Sequence, residues 1–255
     1  MAAIQFEFGF SGCCSTQVGC NMGCKFCASG LTKKIRNLNA NEIIGEILYT
    51  QSYLVANGLT PLQSLSFMGI GEPFDNLDNV MHTIKYLHSE QTMNMGMRKF
   101  TLSTCGIVNK LPIVAKELPQ VNVAISLHAP NDTIRNQIMP INQAFNVAEV
   151  IKYAKNYVRE VNHDITFQYV LINGVNDSDE CAIQLANLIR DIDCHVTLIE
   201  YNEVDEFKFK HSNNSASFKK ILTNNHISFS ERLKRGDEIK ASCGSMRINH
   251  LKNDK

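Results

Sequence analysis

Short apolar segments rich in β-branched residues alternate along the chain with longer segments of helical periodicity. The strand-like segments are 64–68, 100–103, 121–127, 165–171 and 195–199. The helical segments are 40–54, 77–87, 108–118, 147–158 and 179–190. This alternation predicts βαβ units and a parallel sheet. Five or six units are too few for a closed eight-stranded barrel. We therefore predict an α/β fold, an open partial (β/α)6 barrel with its chemistry at the carboxyl ends of the strands.

The start of the first helical segment is well defined. Asn39 and Glu42, three residues apart, have the spacing of a capping box. Ile43 and Ile47 are four residues apart and form part of one apolar face. We therefore expect a helix that begins at residue 40 and packs its isoleucines against the sheet.

Beyond Tyr201 the pattern weakens. Residues 202–214 are polar and predict a loop, followed by a short helix over 216–222 and a strand-like piece over 226–229. No domain boundary stands out. We predict one domain over residues 1–255, with a short N-terminal extension over 1–12 and a C-terminal extension from about residue 203 to 255.

Composition narrows the class of protein. The chain has 255 residues, of which 44% are hydrophobic and 20% charged, as in ordinary globular domains. It has no apolar run long enough to span a bilayer, and its first ten residues lack the features of a signal peptide. We therefore expect a cytoplasmic, monomeric protein without membrane contact. Basic and acidic residues balance, so binding to RNA would need a local basic patch or another chain.

The cysteines point to the chemistry. There are nine, an odd number with close local spacing, which argues against a disulfide framework and for metal or thiol chemistry. Cys20, Cys24 and Cys27 form a CxxxCxxC motif. Cubane iron–sulfur clusters normally take four thiolates. Three therefore leave one iron open to a small molecule such as S-adenosylmethionine (SAM). The alternatives are a zinc site, or a ferredoxin-type cluster completed by a fourth cysteine elsewhere.

Longer motifs carry a family resemblance. The CxxxCxxC motif and a glycine–glutamate element after the next strand form the radical SAM pattern. Six further motifs in the same order resemble the RlmN/Cfr family of RNA adenine methyltransferases. The glycine–glutamate element is 69–73, and the six further segments are 13–20, 101–104, 125–132, 139–142, 174–177 and 241–244. The match extends from about Cys13 to about Met246.

The resemblance implies a set of cofactor-binding residues. Cys20, Cys24 and Cys27 would hold one 4Fe–4S cluster. Gly71 would allow close backbone approach, and Glu72 would accept a hydrogen bond from the amino group of SAM. The other residues implied to bind SAM lie at or near strand ends: Ser103, Ser126, Leu127, His128 and Asn202. Taken alone, His128 would be a structural histidine more often than a ligand.

Two further cysteines are implied to be catalytic. Adenine C2 and C8 are electron-poor and cannot attack SAM directly, whereas a thiolate can. The resemblance implies that Cys243 takes a methyl group from one SAM, and that a radical generated from a second SAM activates that methyl for addition to the ring. Cys13 would then release the product by forming a disulfide with Cys243. The remaining cysteines are predicted to be small buried side chains: Cys14, Cys105, Cys181 and Cys194.

The resemblance also implies partners. These are ribosomal or transfer RNA, modified at adenine C2 in preference to C8, and a flavodoxin or ferredoxin as electron donor. Family members carry a helical RNA-gripping domain before this core, and a glutamate thirteen residues before the resolving cysteine. The chain begins twelve residues before Cys13, so we expect a partner to replace that domain. The candidate RNA-facing cations are Lys33, Lys34, Arg36, 98–99 and 232–235.

Two alternative functions stay open at this point. One is a radical SAM enzyme that modifies a protein or a small molecule. The other is an inactive shortened paralogue that keeps its cluster for stability or sensing. Cys13 and Cys243 together favour methyl transfer, because hydrogen abstraction from a protein backbone needs neither thiol. The intact ligand positions argue against a decayed site.

Overall fold

The computed structural model describes residues 1–203 and 206–232. The strands are β1 (Ala2–Phe6), β2 (Gly9–Cys13), β3 (Gln17–Val18), β4 (Arg36–Asn37), β5 (Leu62–Phe67), β6 (Phe100–Thr104), β7 (Asn122–Ser126), β8 (Ile165–Leu171), β9 (Cys194–Glu200) and β10 (Phe229–Arg232). The α-helices are α1 (Ala40–Ala56), α2 (Leu77–His88), α3 (Leu111–Glu117), α4 (Asp132–Ile138), α5 (Val147–Val161), α6 (Asp179–Ile189) and α7 (Ser215–Asn224).

Eight of these strands form one sheet in the order β1-β2-β5-β6-β7-β8-β9-β10. Strand β1 pairs antiparallel with β2, and all other neighbours pair in parallel. Strands β2, β5, β6, β7, β8 and β9 are each followed by a helix that covers the sheet. This arrangement confirms the predicted α/β partial (β/α)6 barrel. Because these pairings are parallel, the carboxyl ends of seven strands, β2 and β5 to β10, lie at one edge of the sheet.

The predicted helix and strand cores are found, with shifted ends. The capping box of α1 is present, with the Glu42 amide donating to Asn39 Oδ1 at 3.0 Å and the Asn39 amide donating to Glu42 Oε2 at 2.9 Å. Ile43 and Ile47 are fully buried, as predicted. The strand predicted over 226–229 is wrong in its bounds, because β10 begins only at Phe229.

Three features have no counterpart in the sequence-based prediction. Residues 2–13, most of which were predicted as a short extension, form the β1–β2 hairpin at one edge of the sheet. The two-residue strands β3 and β4 bracket the cysteine motif as an antiparallel ribbon. Helix α4 follows β7 and carries Arg135, whose side chain is fully buried. No helix within residues 1–203 and 206–232 is long and apolar enough to cross a membrane.

Candidate functional site

A cavity opens at the carboxyl ends of the parallel strands. Nine of the residues that the sequence predicts as cluster or SAM ligands line it: Cys20, Cys24, Cys27, Gly71, Glu72, Ser103, Ser126, His128 and Asn202. Leu127 lies outside this lining, and its side chain is fully buried in the main core. Cys243 lies outside the described residues. Within the described chain, residues from distant parts of the sequence thus meet in one concave site.

Backbone hydrogen bonds hold the cysteine loop in place. The β3–β4 ribbon fixes its two ends, and the Cys20 amide donates to Thr32 O at 3.0 Å. The Cys27 amide donates to Cys24 O at 3.2 Å, which closes a tight turn around the last two cysteines. All three cysteines are partly exposed, facing the cavity rather than the core. The loop therefore presents three thiols on one side.

The electrostatics of these thiols suit a bound cation. Burial raises the pKa of Cys20 to about 11, and it raises that of Cys24 further, with the neighbouring thiols adding to both shifts. The free thiols of Cys20 and Cys24 would therefore stay protonated at neutral pH, so their thiolates need positive charge from a ligand. Residues 1–203 and 206–232 contain no group of three or more His, Cys, Asp or Glu side chains arranged for a single metal ion. A cubane cluster binds each thiolate at a different iron, so the three thiols need not converge on one ion.

The glycine–glutamate element faces the cysteine loop across the cavity. Gly71 has φ +108°, and a Cβ built on it would lie 2.6 Å from Gln17 Cβ. Glu72 is only 3% exposed, and its carboxylate accepts from the amides of Phe74 at 3.0 Å and Cys105 at 2.8 Å. Burial raises the pKa of Glu72, while these donors oppose the shift. The carboxylate is thus fixed in a position where it can accept from a ligand amine.

Gln17 is a site residue that the sequence analysis missed. Its Oε1 accepts from the Glu72 amide at 2.9 Å, and its Nε2 donates to Asn37 Oδ1 and Asp75 Oδ2, each at 2.9 Å. Gln17 therefore links the start of the cysteine loop to the glutamate element. Its only signal in the sequence is its position inside the 13–20 motif.

Polar side chains near the ends of β6 and β7, together with one from the middle of β8, form the floor of the cavity. Ser103 Oγ donates to Phe67 O at 2.6 Å, and Ser126 Oγ donates to Gln168 Oε1 at 3.2 Å. Gln168 also lines the cavity and is a second residue that the sequence analysis missed. The floor is thus built from hydrogen-bonded groups of fixed orientation.

His128 is held as a neutral ring. Its Nδ1 accepts from the Val170 amide at 3.0 Å, so its proton lies on Nε2. Burial, and to a lesser extent the nearby Arg135 guanidinium, lower the pKa of His128 to about 3. The edge-on ring of Phe26, from the cysteine loop, packs at a centroid distance of 4.8 Å. His128 thus joins the cysteine loop to the strand ends.

This neutral histidine predicts a pH dependence of stability. In the unfolded chain the ring takes up a proton below a pKa of about 6.5, whereas the folded state does so only near 3. Stability from this group is therefore complete above about pH 6.5 and falls as the pH drops toward 3. Between pH 7 and pH 5 we expect wild type to lose about 2 kcal/mol more unfolding free energy than His128→Gln. Urea denaturation at both pH values measures this, and equal losses would contradict it.

Asn202 brings an unused acceptor to the site. Its Oδ1 is buried and has no hydrogen-bond partner among the described residues. A buried polar atom of this kind usually has a partner, so a ligand donor is expected there. The observation fits a SAM molecule bound between the strand ends and the cysteine loop.

Comparison with known proteins agrees with this geometry. The model of the Radical SAM superfamily matches residues 14–186. A "Probable dual-specificity RNA methyltransferase RlmN" of Caldanaerobacter subterraneus subsp. tengcongensis is 44% identical over 98% of this chain, and the match covers 72% of that protein. A protein of the same name from Malacoplasma penetrans is 42% identical over 97% of this chain and 70% of its own length. The chain belongs to the RlmN family of the radical SAM superfamily.

A solved structure supports the same assignment. The radical SAM methyltransferase of Sphaerobacter thermophilus superposes with a TM-score of 0.92 at 38% identity. The match covers 95% of this chain and 72% of that one. The two chains therefore share the same arrangement of sheet and helices over nearly all of this chain.

Cys13, implied in the RlmN family to resolve the RNA adduct, ends β2 and is partly exposed. Burial raises the pKa of its thiol, while the Arg232 guanidinium and a hydrogen bond to Ser66 oppose the shift. Arg232 ends β10, which lies at the other end of the sheet order from β2, and it lines the cavity. The sheet is therefore curled enough to bring its two ends toward each other.

The other cysteines divide into two groups. Cys14 and Cys181 are buried, as predicted. The prediction is wrong for Cys194, which is partly exposed because it lies at the amino-terminal end of β9. Cys105 differs from the prediction because it lines the cavity, and its amide donates to Glu72. Cys105 lines the cavity because it lies one residue beyond the carboxyl end of β6, at the edge of the sheet where the site is formed.

Two of the candidate RNA-facing cations are engaged within the protein. Lys34 Nζ lies 2.7 Å from Asp75 Oδ2, and Arg36 makes two hydrogen bonds to Glu42, at 2.7 and 2.8 Å. Lys33 is exposed and has no ion pair among the described residues. The positive charge that this loop offers to a polyanion is therefore smaller than its sequence indicates.

Proposed function

We propose that this protein is a radical SAM methyltransferase that adds a methyl group to a ring carbon of adenine in RNA. The observation that carries the proposal is the cavity in which three cysteines of one loop face the Gly71–Glu72 element and the polar strand ends. Membership of the RlmN family supports the same chemistry, since the relatives are named RNA methyltransferases.

The residues of the cavity divide into two ligand sets. Cys20, Cys24 and Cys27 would hold a 4Fe–4S cluster through three of its irons. Glu72 and Asn202 would accept hydrogen bonds from SAM, with the strand-end side chains fixing its orientation. When bound, the cluster and SAM supply one-electron chemistry that can remove a hydrogen atom from an unactivated carbon.

The two remaining catalytic thiols act in sequence in this proposal. Cys243 takes up a methyl group from one SAM as S-methylcysteine and gives up its thiol proton. After a hydrogen atom has been removed from that methyl group, its carbon bonds to the adenine ring, and the ring carbon loses its own hydrogen as a proton together with one electron, which the flavodoxin or ferredoxin partner takes up. Attack of the Cys13 thiolate on the Cys243 sulfur then forms an S–S bond and breaks the bond from that sulfur to the transferred carbon. The carbon keeps the electron pair and takes up a proton, and a thiol reductant returns both cysteines to the free form.

The resting state of Cys13 fits a late role. Its raised pKa keeps the thiol protonated at neutral pH, and only the thiolate is nucleophilic. The Arg232 guanidinium is the charged group that favours the thiolate. The thiol thus stays unreactive until a base removes its proton.

We place the new methyl group at adenine C2 rather than C8. The relatives are named dual-specificity RNA methyltransferases. In this family the C2 type modifies both ribosomal and transfer RNA. A dual specificity, if it means these two classes of RNA, would therefore support C2.

Labelled SAM tests the proposal. Anaerobically reconstituted protein is incubated with methyl-labelled SAM, an electron donor and total RNA from cells that lack the gene. We expect label in RNA and on Cys243, with nuclease digestion locating it at adenine C2. Cys243→Ala should leave both unlabelled, because the variant cannot take up the methyl group. Cys194→Ala, a thiol at the opposite end of its strand from the cavity, is the matched control and should behave as wild type.

The negative outcomes separate the competing functions. Label on Cys243 without label in RNA would contradict RNA as the acceptor and direct attention to a protein or small molecule. No label on either, with SAM still cleaved to 5′-deoxyadenosine, would exclude methyl transfer. Absence of SAM cleavage from protein that holds its cluster would point to the inactive paralogue.

A further inference from the structure

Arg135 places a fully buried guanidinium beneath the cavity. The side chain is 0% exposed and projects from α4 toward the loops that follow β6 and β7. Its Nε and both terminal nitrogens make five hydrogen bonds, at 2.8 to 3.3 Å. The acceptors are all neutral oxygens: the carbonyls of Leu127, Phe145, Cys105 and Ser126, and Oδ1 of Asn142.

The charge of this guanidinium has no direct counterion among the described residues. No carboxylate accepts from it, and none lies within ion-pair distance. The nearest acidic partner in the network is Asp132, which Asn142 Nδ2 contacts at 2.9 Å and which thus lies one residue further out. Arginine stays protonated in proteins, so the positive charge persists. A buried charge held only by neutral groups is unfavourable, which indicates that an anion is to come close to it.

The cysteine loop packs on the helix that carries this charge. The Lys25 amide, next to Cys24, donates to Ile138 O in the last turn of α4 at 2.9 Å. Cys24 also packs against the small apolar cluster that contains Ile138. Helix α4 therefore brings the guanidinium to the underside of the cysteine loop.

The loop after β6 encloses the guanidinium from the other side. Gly106 has φ +134°, and a Cβ built there would lie 2.8 Å from Arg135 Nη2. The preceding residue, Cys105, accepts from Nη2 through its carbonyl and donates through its amide to Glu72 Oε2, at 2.8 Å in each case. Cys105 thus connects Arg135 to the glutamate element, and the hydrogen bond between Lys25 and Ile138 connects α4 to the cysteine loop.

We propose that Arg135 raises the reduction potential of the iron–sulfur cluster by stabilising its reduced form from beneath. This inference rests on the proposed function, because it requires a cluster on Cys20, Cys24 and Cys27. Reduction adds one negative charge to a cluster that is already anionic with three thiolates. A fixed positive charge in a low-dielectric interior favours the more negative state. Arg135 is accordingly a positioning and charge-setting residue that need not touch substrate.

The experiment is a redox titration of the reconstituted holoprotein, followed by electron paramagnetic resonance of the reduced cluster. For Arg135→Gln we expect the ratio of reduced to oxidised cluster at a fixed potential to fall about tenfold, or about 59 mV for one electron. Arg135→Lys keeps the charge and should stay within about threefold of wild type. Asn142→Ala is the matched control, since it removes one acceptor of the same buried network without changing its charge.

A merely structural role for Arg135 predicts that the reduction potential changes in the opposite direction. A loosened network would let water approach the cluster, and water stabilises the more highly charged reduced form, which raises the potential. A rise or no change in Arg135→Gln would therefore overturn the proposal, as would a fall of equal size in Asn142→Ala.

A second charge-changing variant covers the case in which Arg135→Gln does not fold. Asn142→Asp keeps the oxygen that accepts from Nη1 and adds a negative charge beside the guanidinium. Asn142→Asp should lower the reduction potential, as Arg135→Gln does. An unchanged potential would count against the proposal. Iron and sulfide are measured first on wild type. Wild type without a cluster would defeat the proposed function itself, whereas a wild-type cluster with unshifted variants would defeat only the role of Arg135.

Discussion

Replacing Cys24 with alanine is expected to remove the iron–sulfur cluster and with it all methyl transfer. The three cysteines line one side of the cavity, and Cys24 stands between the other two on the loop. Loss of a supporting residue around a metal site already costs about 10–100-fold in metal affinity, so loss of a ligand should cost more than about 100-fold. Iron and sulfide analysis after anaerobic reconstitution measures the first effect, and labelled SAM measures the second.

The fold should persist in this variant. The backbone contacts of the loop, from Cys20 to Thr32 and from Cys27 to Cys24, involve no thiol. Circular dichroism should therefore match that of wild type. Cys194→Ala is the matched control and should keep full iron content. Stoichiometric iron in Cys24→Ala would contradict the ligand set and implicate Cys105, the other described thiol that lines the cavity.

The pattern of apolar residues was sufficient to predict the barrel because each long strand and helix buries a continuous face. Strand β8 matches its predicted bounds, since five of its seven residues are apolar or aromatic, with Thr166 and Gln168 as the exceptions. Helix α4 has only seven residues, and one of its two buried positions is occupied by Arg135. Because arginine is polar, this helix lacks the apolar periodicity that predicts a buried face. Strand β1 alternates half-buried and exposed positions at an edge, where the apolar signal is weak.

The candidate site was predictable where the chemistry is local in sequence. The spacing of the cysteine motif and the motifs at strand ends indicated most of the residues that line the cavity. Gln17 and Arg135 were not predictable in this way, because their roles depend on partners that meet only in the folded chain. Lys34 illustrates the same limit, since its ion-pair partner Asp75 lies 41 positions further along.

Gly71→Ala is expected to displace the glutamate element and to weaken SAM binding. The backbone at Gly71 has φ +108°, which L-residues rarely adopt. The added Cβ would lie 2.6 Å from Gln17 Cβ and 2.9 Å from the backbone nitrogen of Gln17. Gln17 cannot retreat freely, because its amide group is held by Asn37, Asp75 and the Glu72 amide. We expect about 2–4 kcal/mol lower unfolding free energy and at least about tenfold weaker SAM binding.

The control separates backbone strain from displacement of the site. Gly58, just after α1, has φ +68° and would place its Cβ in open space, with nothing within 4 Å. Gly58→Ala should therefore cost only about 1–2 kcal/mol for the left-handed backbone and leave SAM affinity unchanged. Urea denaturation and equilibrium dialysis with SAM on the reconstituted proteins measure the two quantities. Because Gln17 connects Gly71 to the cysteine loop, Gly71→Ala should reduce binding even at temperatures where the variant is fully folded. Wild-type affinity in a folded Gly71→Ala protein would mean that the contact between Gln17 and the glutamate element does not position the ligand.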